Sequence, residues 1–358
     1  MSKSLLFSSL QIKDTVFKNR IVISSMCQYS SENGFANNWH LVHLGSRAIG
    51  GAALIMQEAT AVNAEGRITY RDLGLWQDDQ MQKLQEIVSF LHNNNAKVGI
   101  QLAHAGRKAS CEVPWLGGHQ FPPDHPNGWQ TVGASPVAFK EEQHPPIELD
   151  QQGINKVIDD FVAATKRALQ IGYDVVEIHA AHGYLIHQFY SPLSNFRTDK
   201  YGGSFENRIR LLMEVTDAIQ SVWGKERPLF VRISATDWKE GGWTVEDSIR
   251  LSALLKAKGV DFIDVSSGGN ALVKIPAEPG YQVQFAERIK KETGIYCGAV
   301  GLITKSQQAE SILEQQQADM IFIARESLRN PYFPLRASAT LEKTIDWPVQ
   351  YQRAGNFE

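Results

Sequence analysis

The stretch Asp174-Val-Val-Glu-Ile-His-Ala-Ala-His-Gly-Tyr184 changes character midway. Asp174–Ile178 is a short, largely apolar run of strand length, and it follows an amphipathic, helix-like segment at Gly153–Ile171. From His179 onward the chain presents imidazoles and a phenol. Reactive side chains gathered at the trailing end of an apolar strand suit the mouth of a parallel barrel, where strand ends and the loops after them build the site.

Outward from this stretch the same alternation repeats. The other strand-like runs are Arg20–Ser24, Ala52–Gln57, Lys97–Leu102, Leu229–Ile233, Phe262–Val265, Tyr296–Val300 and Met320–Ala324. Helix-like segments separate them near Trp39–Ile49, Asp79–Asn93, Phe205–Val222, Val245–Ala257, Gln282–Glu292 and Lys305–Gln316, and a final one follows Glu326. Eight strands, each followed by a helix, predict an α/β fold: a single (β/α)8 TIM barrel over residues 1–358. A doubly wound sheet would give the same alternation, so the count favours the barrel without proving it. Most runs are too apolar for half-exposed antiparallel strands, which fits strands covered by helices.

One stretch breaks the rhythm. Between Ala103 and Leu149 no helix is evident, and 7 of the 14 prolines fall there. Long insertions in compact domains are usually functional. Trp115, Phe121 and Trp129 point to a packed flap, so 103–149, after the third strand, is expected to cap the barrel as a lid; a plain surface excursion is the other reading.

Composition narrows the partners. With 36 basic and 39 acidic residues the formal net charge is −3, which gives no electrostatic reason to expect nucleic acid or an anionic membrane. Cys27, Cys111 and Cys297 are scattered and odd in number, neither a disulfide framework nor a zinc or iron–sulfur set. Met1–Leu10 lacks the basic start and apolar run of a signal peptide, and no run nears the roughly 18 apolar residues of a membrane span. A cytoplasmic address is expected. No two glycines are separated by a single residue, so Gly-x-Gly-x-x-Gly cannot occur, and neither Gly-Lys-Ser/Thr nor His-Glu-x-x-His is present. A nicotinamide nucleotide, if used, is not held on a conventional dinucleotide fold.

The chemistry is sought at the strand ends. The first strand leads into Ser24-Ser25-Met26-Cys27-Gln28-Tyr29, the second into Glu58 and Ala59, and the third carries Gln101 and His104. Arg232, within an apolar strand, stays charged and needs an anion or several acceptors. It either forms a buried salt bridge, with Asp264 the obvious partner, or faces a bound anion such as a reduced flavin. Arg325 sits at the usual phosphate corner of a barrel or is an ordinary surface arginine. His179 and His182 could ligate zinc with Glu58 or Cys27, donate together to one carbonyl oxygen with Tyr184 as acid, or simply pack. Cys27 could tune a cofactor or be inert.

Together Ser24–Tyr29, Gln101-Leu-Ala-His-Ala-Gly-Arg107-Lys, Glu177-Ile-His-Ala-Ala-His-Gly-Tyr184-Leu-Ile-His-Gln-Phe, Ser191-Pro-Leu-Ser-Asn195, Arg197–Arg208 and the stretch around Arg325 resemble the old yellow enzyme family of FMN-dependent ene-reductases. Cys27 and Tyr29 resemble its thermophilic-like subgroup, the bacterial NADPH dehydrogenases. The resemblance runs from about Leu6 to Arg353. It implies that Ser24, Ser25, Met26 and Cys27 lie along the flavin, with Cys27 adjusting its potential. Ala59 and Gln101 would bond the ring, and Arg232 would stabilise its reduced, anionic form. Ala324 and Arg325, with main-chain donors near Gly301, would hold the phosphate. His179 and His182 would grip the substrate carbonyl, Tyr29 would contact the substrate, and Tyr184 would donate the proton.

Two positions depart from the family pattern. Ser25 stands where proline is frequent, and Ala324 where glycine is usual, so its methyl group is expected to crowd the phosphate. The tail 347–358 resembles the segment that sends an arginine, here Arg353, into a neighbouring subunit, implying a homodimer or homotetramer. The implied activity is hydride transfer from NADPH to FMN and then to an activated alkene such as an enal or enone. Quinones, nitro compounds or a role as a flavin-binding redox sensor are alternatives, and no metal is implied.

Overall fold

The computed structural model describes residues 4–355. The expectations for 1–358 and 347–358 therefore extend, at Met1–Lys3 and Asn356–Glu358, outside the described residues. Eight strands close a parallel barrel: β1 (Ile21–Ile23), β2 (Leu54–Ala61), β3 (Lys97–Ala103), β4 (Val175–Ala180), β5 (Leu229–Ser234), β6 (Phe262–Ser266), β7 (Tyr296–Ala299) and β8 (Met320–Ile323). Each pairs with its neighbours in chain order, and β8 returns to β1. This is the TIM barrel and not a doubly wound sheet.

The principal outer helices are α1 (Asn38–Ile49), α2 (Met81–Asn93), α3 (Gln151–Ile171), α4 (Arg210–Trp223), α5 (Val245–Ala257), α6 (Val283–Thr293), α7 (Ser306–Glu314) and α8 (Phe333–Thr340). α3 shows how a helix feeds the strand that carries the site. Asp150 caps its first turn by accepting from Gly153, while Ile154, Val157, Phe161, Ala164, Ala168 and Ile171 are buried at three- to four-residue spacing. Gly172, at φ +97°, then reverses the chain into β4.

Side chains alternate along each strand, so every second residue points into the barrel. The lower interior is apolar: Val22, Leu54, Met56, Val175, Phe230, Phe262, Met320 and Phe322 pack together. Gly99 and Gly298 make room, since an added Cβ would meet Met56 Sδ at 2.2 Å and Phe322 at 2.4 Å respectively. Two residues further along β4, β5 and β6 the same parity brings in Glu177, Arg232 and Asp264. Two residues beyond these stand His179, Ser234 and Ser266.

The structure departs from the sequence reading in four places. A hairpin, Leu10–Ile12 paired with Thr15–Phe17, precedes β1, and its buried Leu10, Ile12 and Phe17 close the lower end of the barrel. Three-residue strands show too little alternation to detect, and Lys13 makes the turn at φ +50° without glycine. The predicted Phe205–Val222 helix is divided at Ile209 into Phe205–Arg208 and α4. The final helix is likewise split into Arg325–Arg329 and α8, because Pro331 holds Asn330 out of the helical region. Finally, β2 runs on to Ala61 through a bulge, with the register skipping Glu58 so that Ala59 faces Gln101.

The 103–149 insertion has 3-10 turns at Gly106–Lys108 and Pro114–Leu116 and a two-residue parallel pairing of Val132–Gly133 with Ile147–Glu148. Arg107 donates to the Asn270 carbonyl at 2.7 Å and Trp129 Nε1 to the Glu65 carbonyl at 2.9 Å, tying the segment to the loops after β6 and β2. Phe121 is buried and stacks on His125, whereas Trp115 is exposed and touches Tyr29 edge-on. Among the described residues no helix is long and apolar enough to cross a membrane.

Candidate active site

Arg232 sits at the centre of the mouth. Its Nε lies 3.2 Å from Asp264 Oδ2, and its Nη1 donates to the hydroxyls of Ser24 at 3.1 Å and Ser25 at 3.0 Å. The salt bridge considered from sequence is therefore present, and the far edge of the guanidinium still faces the cavity above. Ser25 supplies an acceptor that proline could not. Beside this pair, Gln101 Nε2 donates to Glu177 Oε1 at 2.7 Å. Burial raises the carboxyl pKa values of both Glu177 and Asp264; the Asp264 charge pushes Glu177 further, while Arg232 opposes both shifts.

The loop after β4 carries the imidazoles. Burial, and then the charge of Arg232, holds His179 and His182 well below the ordinary histidine range, so both are neutral at pH 7. His179 Nδ1 accepts from the Ala181 amide at 3.2 Å, which places its proton on Nε2. That Nε2 lies 3.4 Å from His182 Nδ1, and His182 Nε2 lies 2.7 Å from Ser266 Oγ. Ser266 Oγ also donates to Gln282 Oε1 at 3.4 Å; when it turns to donate to His182 instead, the second proton moves to Nδ1, and the two N–H groups stand side by side, 3.4 Å apart. His182 adopts φ +58°. It is held there by the Ser234 hydroxyl on its amide at 2.9 Å and by Lys108 Nζ on its carbonyl at 2.9 Å. The β4 and β6 loops meet backbone to backbone at Gly183 and Gly269, where an added Cβ would come within 2.3 Å and 2.7 Å of the opposite chain.

Tyr184 packs edge-on against His179 with ring centroids 4.9 Å apart. Burial, and then the neighbouring Cys27, raises its phenol pKa well above the usual value, so the proton stays on at neutral pH. Cys27 meets Tyr29 and the Ala59 backbone, and burial keeps it a thiol. Burial and the charge of Arg107 push Lys108 down to about 8. Zinc would need a third ligand beside the imidazoles, but Glu58 is turned away: it accepts from the Gln28 amide at 2.7 Å and lies 3.4 Å from His40. Among the described residues no three metal-ligating side chains converge.

On the β7–β8 side a cavity of about 180 Å³ runs from Arg232 and Ser266 to Gly301, Ala324, Arg325 and Arg329. Gly301 takes φ +127°, and an added Cβ would press on Gln282 and Tyr281 at 3.1–3.2 Å. Ala324, at φ −100° and ψ −103°, lies outside the left-handed region that favours glycine. A cation at the barrel axis, a polar strip along β1 and β2, and Arg325 at the far end, beside an Arg329 already held by Glu326 at 2.7 Å, fit a planar, phosphate-bearing cofactor that becomes anionic.

The structure thus gathers Ser24, Ser25, Cys27, Tyr29, Ala59, Gln101, His179, His182, Tyr184, Arg232, Gly301, Ala324 and Arg325 around one mouth; Met26 packs partly into the outer core behind it. Arg353 is not brought there. It is exposed in the turn Val349–Ala354, and the segment before it packs beside Lys18, Asn19, Gly51 and Asn93–Asn95, which lead into β1, β2 and β3 at the opposite end of the barrel. Ser234, Ser266 and Lys108 were missed. The parity that makes Arg232 and Asp264 point inward applies equally to Ser234 and Ser266, so that signal was available; Lys108 ends the Gln101–Lys108 motif, to which the sequence assigned no role at that position.

A barrel with this mouth defines a flavin-dependent oxidoreductase. The model of the NADH:flavin oxidoreductase / NADH oxidase family matches residues 5–344, and the chain belongs to that family, the old yellow enzymes. Its activity is that of an NADPH dehydrogenase, with a flavin and a nicotinamide nucleotide as cofactors and small molecules as acceptors. The NADPH dehydrogenase of Listeria innocua serovar 6a is 49% identical over 353 residues, 98% of this chain and 99% of that one. Morphinone reductase superposes with a TM-score of 0.79 at 26% identity, over 97% of this chain and 92% of that one. A 2-naphthoyl-CoA reductase complex gives a TM-score of 0.85 at 24% identity over 95% of this chain; the chain spans about half of that protein (52%), and this likeness is one of fold.

Proposed function

We propose that the chain is a thermophilic-like old yellow enzyme that binds FMN non-covalently, oxidises NADPH, and reduces the carbon–carbon double bond of α,β-unsaturated aldehydes and ketones. The observation that carries this reading is the meeting of His179 Nε2, His182 Nδ1 and the protonated Tyr184 phenol at the mouth. FMN held there would supply the hydride carrier between NADPH and the β carbon of the acceptor. The neutral imidazoles hold the carbonyl oxygen and polarise the alkene, and Tyr184 gives its proton to the α carbon. Arg232 and Gln101 serve the ring, Ser24–Cys27 and Ala59 line it, and Gly301, Ala324 and Arg325 take the phosphate. Tyr29 completes the acceptor pocket beneath the 103–149 lid. Residues 1–358 act as one unit in a homodimer or homotetramer, with Arg353 serving a neighbouring subunit.

Quinones and nitro compounds suit the same donor pair as secondary acceptors. The test is the visible spectrum of FMN-loaded protein. Anaerobic NADPH should bleach the flavin band, and 2-cyclohexenone should restore it with formation of cyclohexanone. A flavin that NADPH bleaches but no enone reoxidises would overturn the ene-reductase assignment.

A further inference from the structure

Beside the mouth lies a larger cavity, of about 760 Å³, between the loop after β2 and the tip of the insertion. Its walls include Glu65, Arg67, Tyr70, Arg71, Trp129 and Lys156. The Arg67 guanidinium is bracketed by aromatic rings, 5.4 Å from the Trp76 centroid and 4.9 Å from that of Trp129. It donates through Nε to the Ala64 carbonyl and through Nη1 to the Tyr70 carbonyl, leaving Nη2 over. Lys156 is matched by Asp160 at 2.7 Å and Glu65 at 3.6 Å. Arg67 and Arg71 have no carboxylate at ion-pair distance among the described residues; Asp72, the nearest charge to Arg67, is engaged by Ile68 and Thr69.

The cavity adjoins the catalytic chamber through one thin loop. Gly66 and Ile68 line the small space that Tyr184 also lines, and Arg67 between them lines the larger one. A nicotinamide nucleotide delivering hydride at the mouth must lodge its adenosine end nearby. Without a glycine-rich turn, side chains have to hold it.

We propose that this cavity is the subsite for the 2′-phosphoadenosine end of NADPH, with Arg71 and Arg67 Nη2 pairing with the 2′-phosphate and the base lying against Tyr70 and Trp129. Guanidinium groups lacking a carboxylate partner match a phosphate dianion, and half-buried aromatic rings in the cavity wall match a purine. This rests on the reading of the mouth as the NADPH oxidation site.

The experiment uses the FMN-loaded enzyme with Arg71→Ala and Arg71→Lys. The affinity for NADPH and for NADH is read from anaerobic flavin reduction, and binding of adenosine 2′,5′-bisphosphate from calorimetry. Arg71→Ala should lower the NADPH-to-NADH affinity ratio roughly 10-fold or more, the scale of one charge-assisted contact, with partial recovery in Arg71→Lys. It should weaken the bisphosphate far more than adenosine 5′-monophosphate. Equal weakening of both nucleotides, or an unchanged ratio, overturns the subsite. Arg71-dependent bisphosphate binding in a protein whose flavin NADPH cannot reduce would support the cavity and overturn the reading of the mouth.

Discussion

The guanidinium of Arg232 and the carboxylate of Asp264 stand 3.2 Å apart, and Asp264 has no exposed surface at all. Removing one partner of such a pair strands the other, at a cost of about 3–5 kcal/mol. Arg232→Met should therefore lower stability on that scale, and Arg232→Met with Asp264→Asn should regain most of it. Neither variant should regain flavin binding or the flavin potential, if the guanidinium serves the ring as well as the barrel. Denaturant titration and FMN titration separate the two roles; normal FMN affinity in the double variant would make Arg232 purely structural.

Tyr184→Phe should leave flavin reduction by NADPH near the wild-type rate. Reoxidation by a weakly activated enone should slow roughly 10²-fold or more, the usual contribution of a general acid. Stopped-flow measurement of the two half-reactions is the check, and equal slowing of both would contradict the role.

Ser266 offers a test of how the imidazoles work. Its hydroxyl lies 2.7 Å from His182 Nε2 and 3.4 Å from Gln282 Oε1, so the direction in which it donates is coupled to which nitrogen of that ring carries the proton. Ser266→Ala should weaken binding of 2-cyclohexenone about 10-fold, the loss of one well-placed hydrogen bond, while FMN content stays normal. An unchanged enone affinity would show that His182 orients itself without the serine.

Glu58 and His40 are both uncharged at pH 7. Burial raises Glu58 from 4.5 to about 8 and lowers His40 from 6.5 to about 4. Between about 4.5 and 8 the folded protein keeps a Glu58 proton that the unfolded chain has released, so stability falls as pH rises through that window, by at most ~1.4 kcal/mol per pH unit. His40 acts in the opposite sense below 6.5, which leaves the decline unopposed from about 6.5 to 8. Glu58→Gln should make it shallower, leaving the share of Glu177, which burial raises to about 8 as well. Denaturant midpoints at pH 6.5 and 8 for both proteins decide the matter.

The barrel and most of its mouth were legible because two periods coincide. Helix spacing and short apolar runs gave the alternation, while polar residues at the ends of those runs marked the open face. What escaped depended on contacts distant in sequence. The Leu10–Phe17 hairpin is too short to have a period, and it exists because Val22, Phe230 and Phe262 leave a floor to be filled. Arg232 posed a choice between salt bridge and ligand that residue type could not resolve, since one guanidinium has edges for both. Lys108 is drawn into the site by the His182 and Gly269 carbonyls, each 2.9 Å away, and no local pattern encodes either.

That hairpin also bears on traffic. With the lower interior packed solid and floored, the upper face is the one doorway to the mouth, and on the proposed reading spent nucleotide departs before an acceptor takes its place. Steady-state plots of reciprocal velocity against reciprocal NADPH should accordingly form parallel lines as the enone concentration is varied, with each reactant inhibiting at excess by blocking the other.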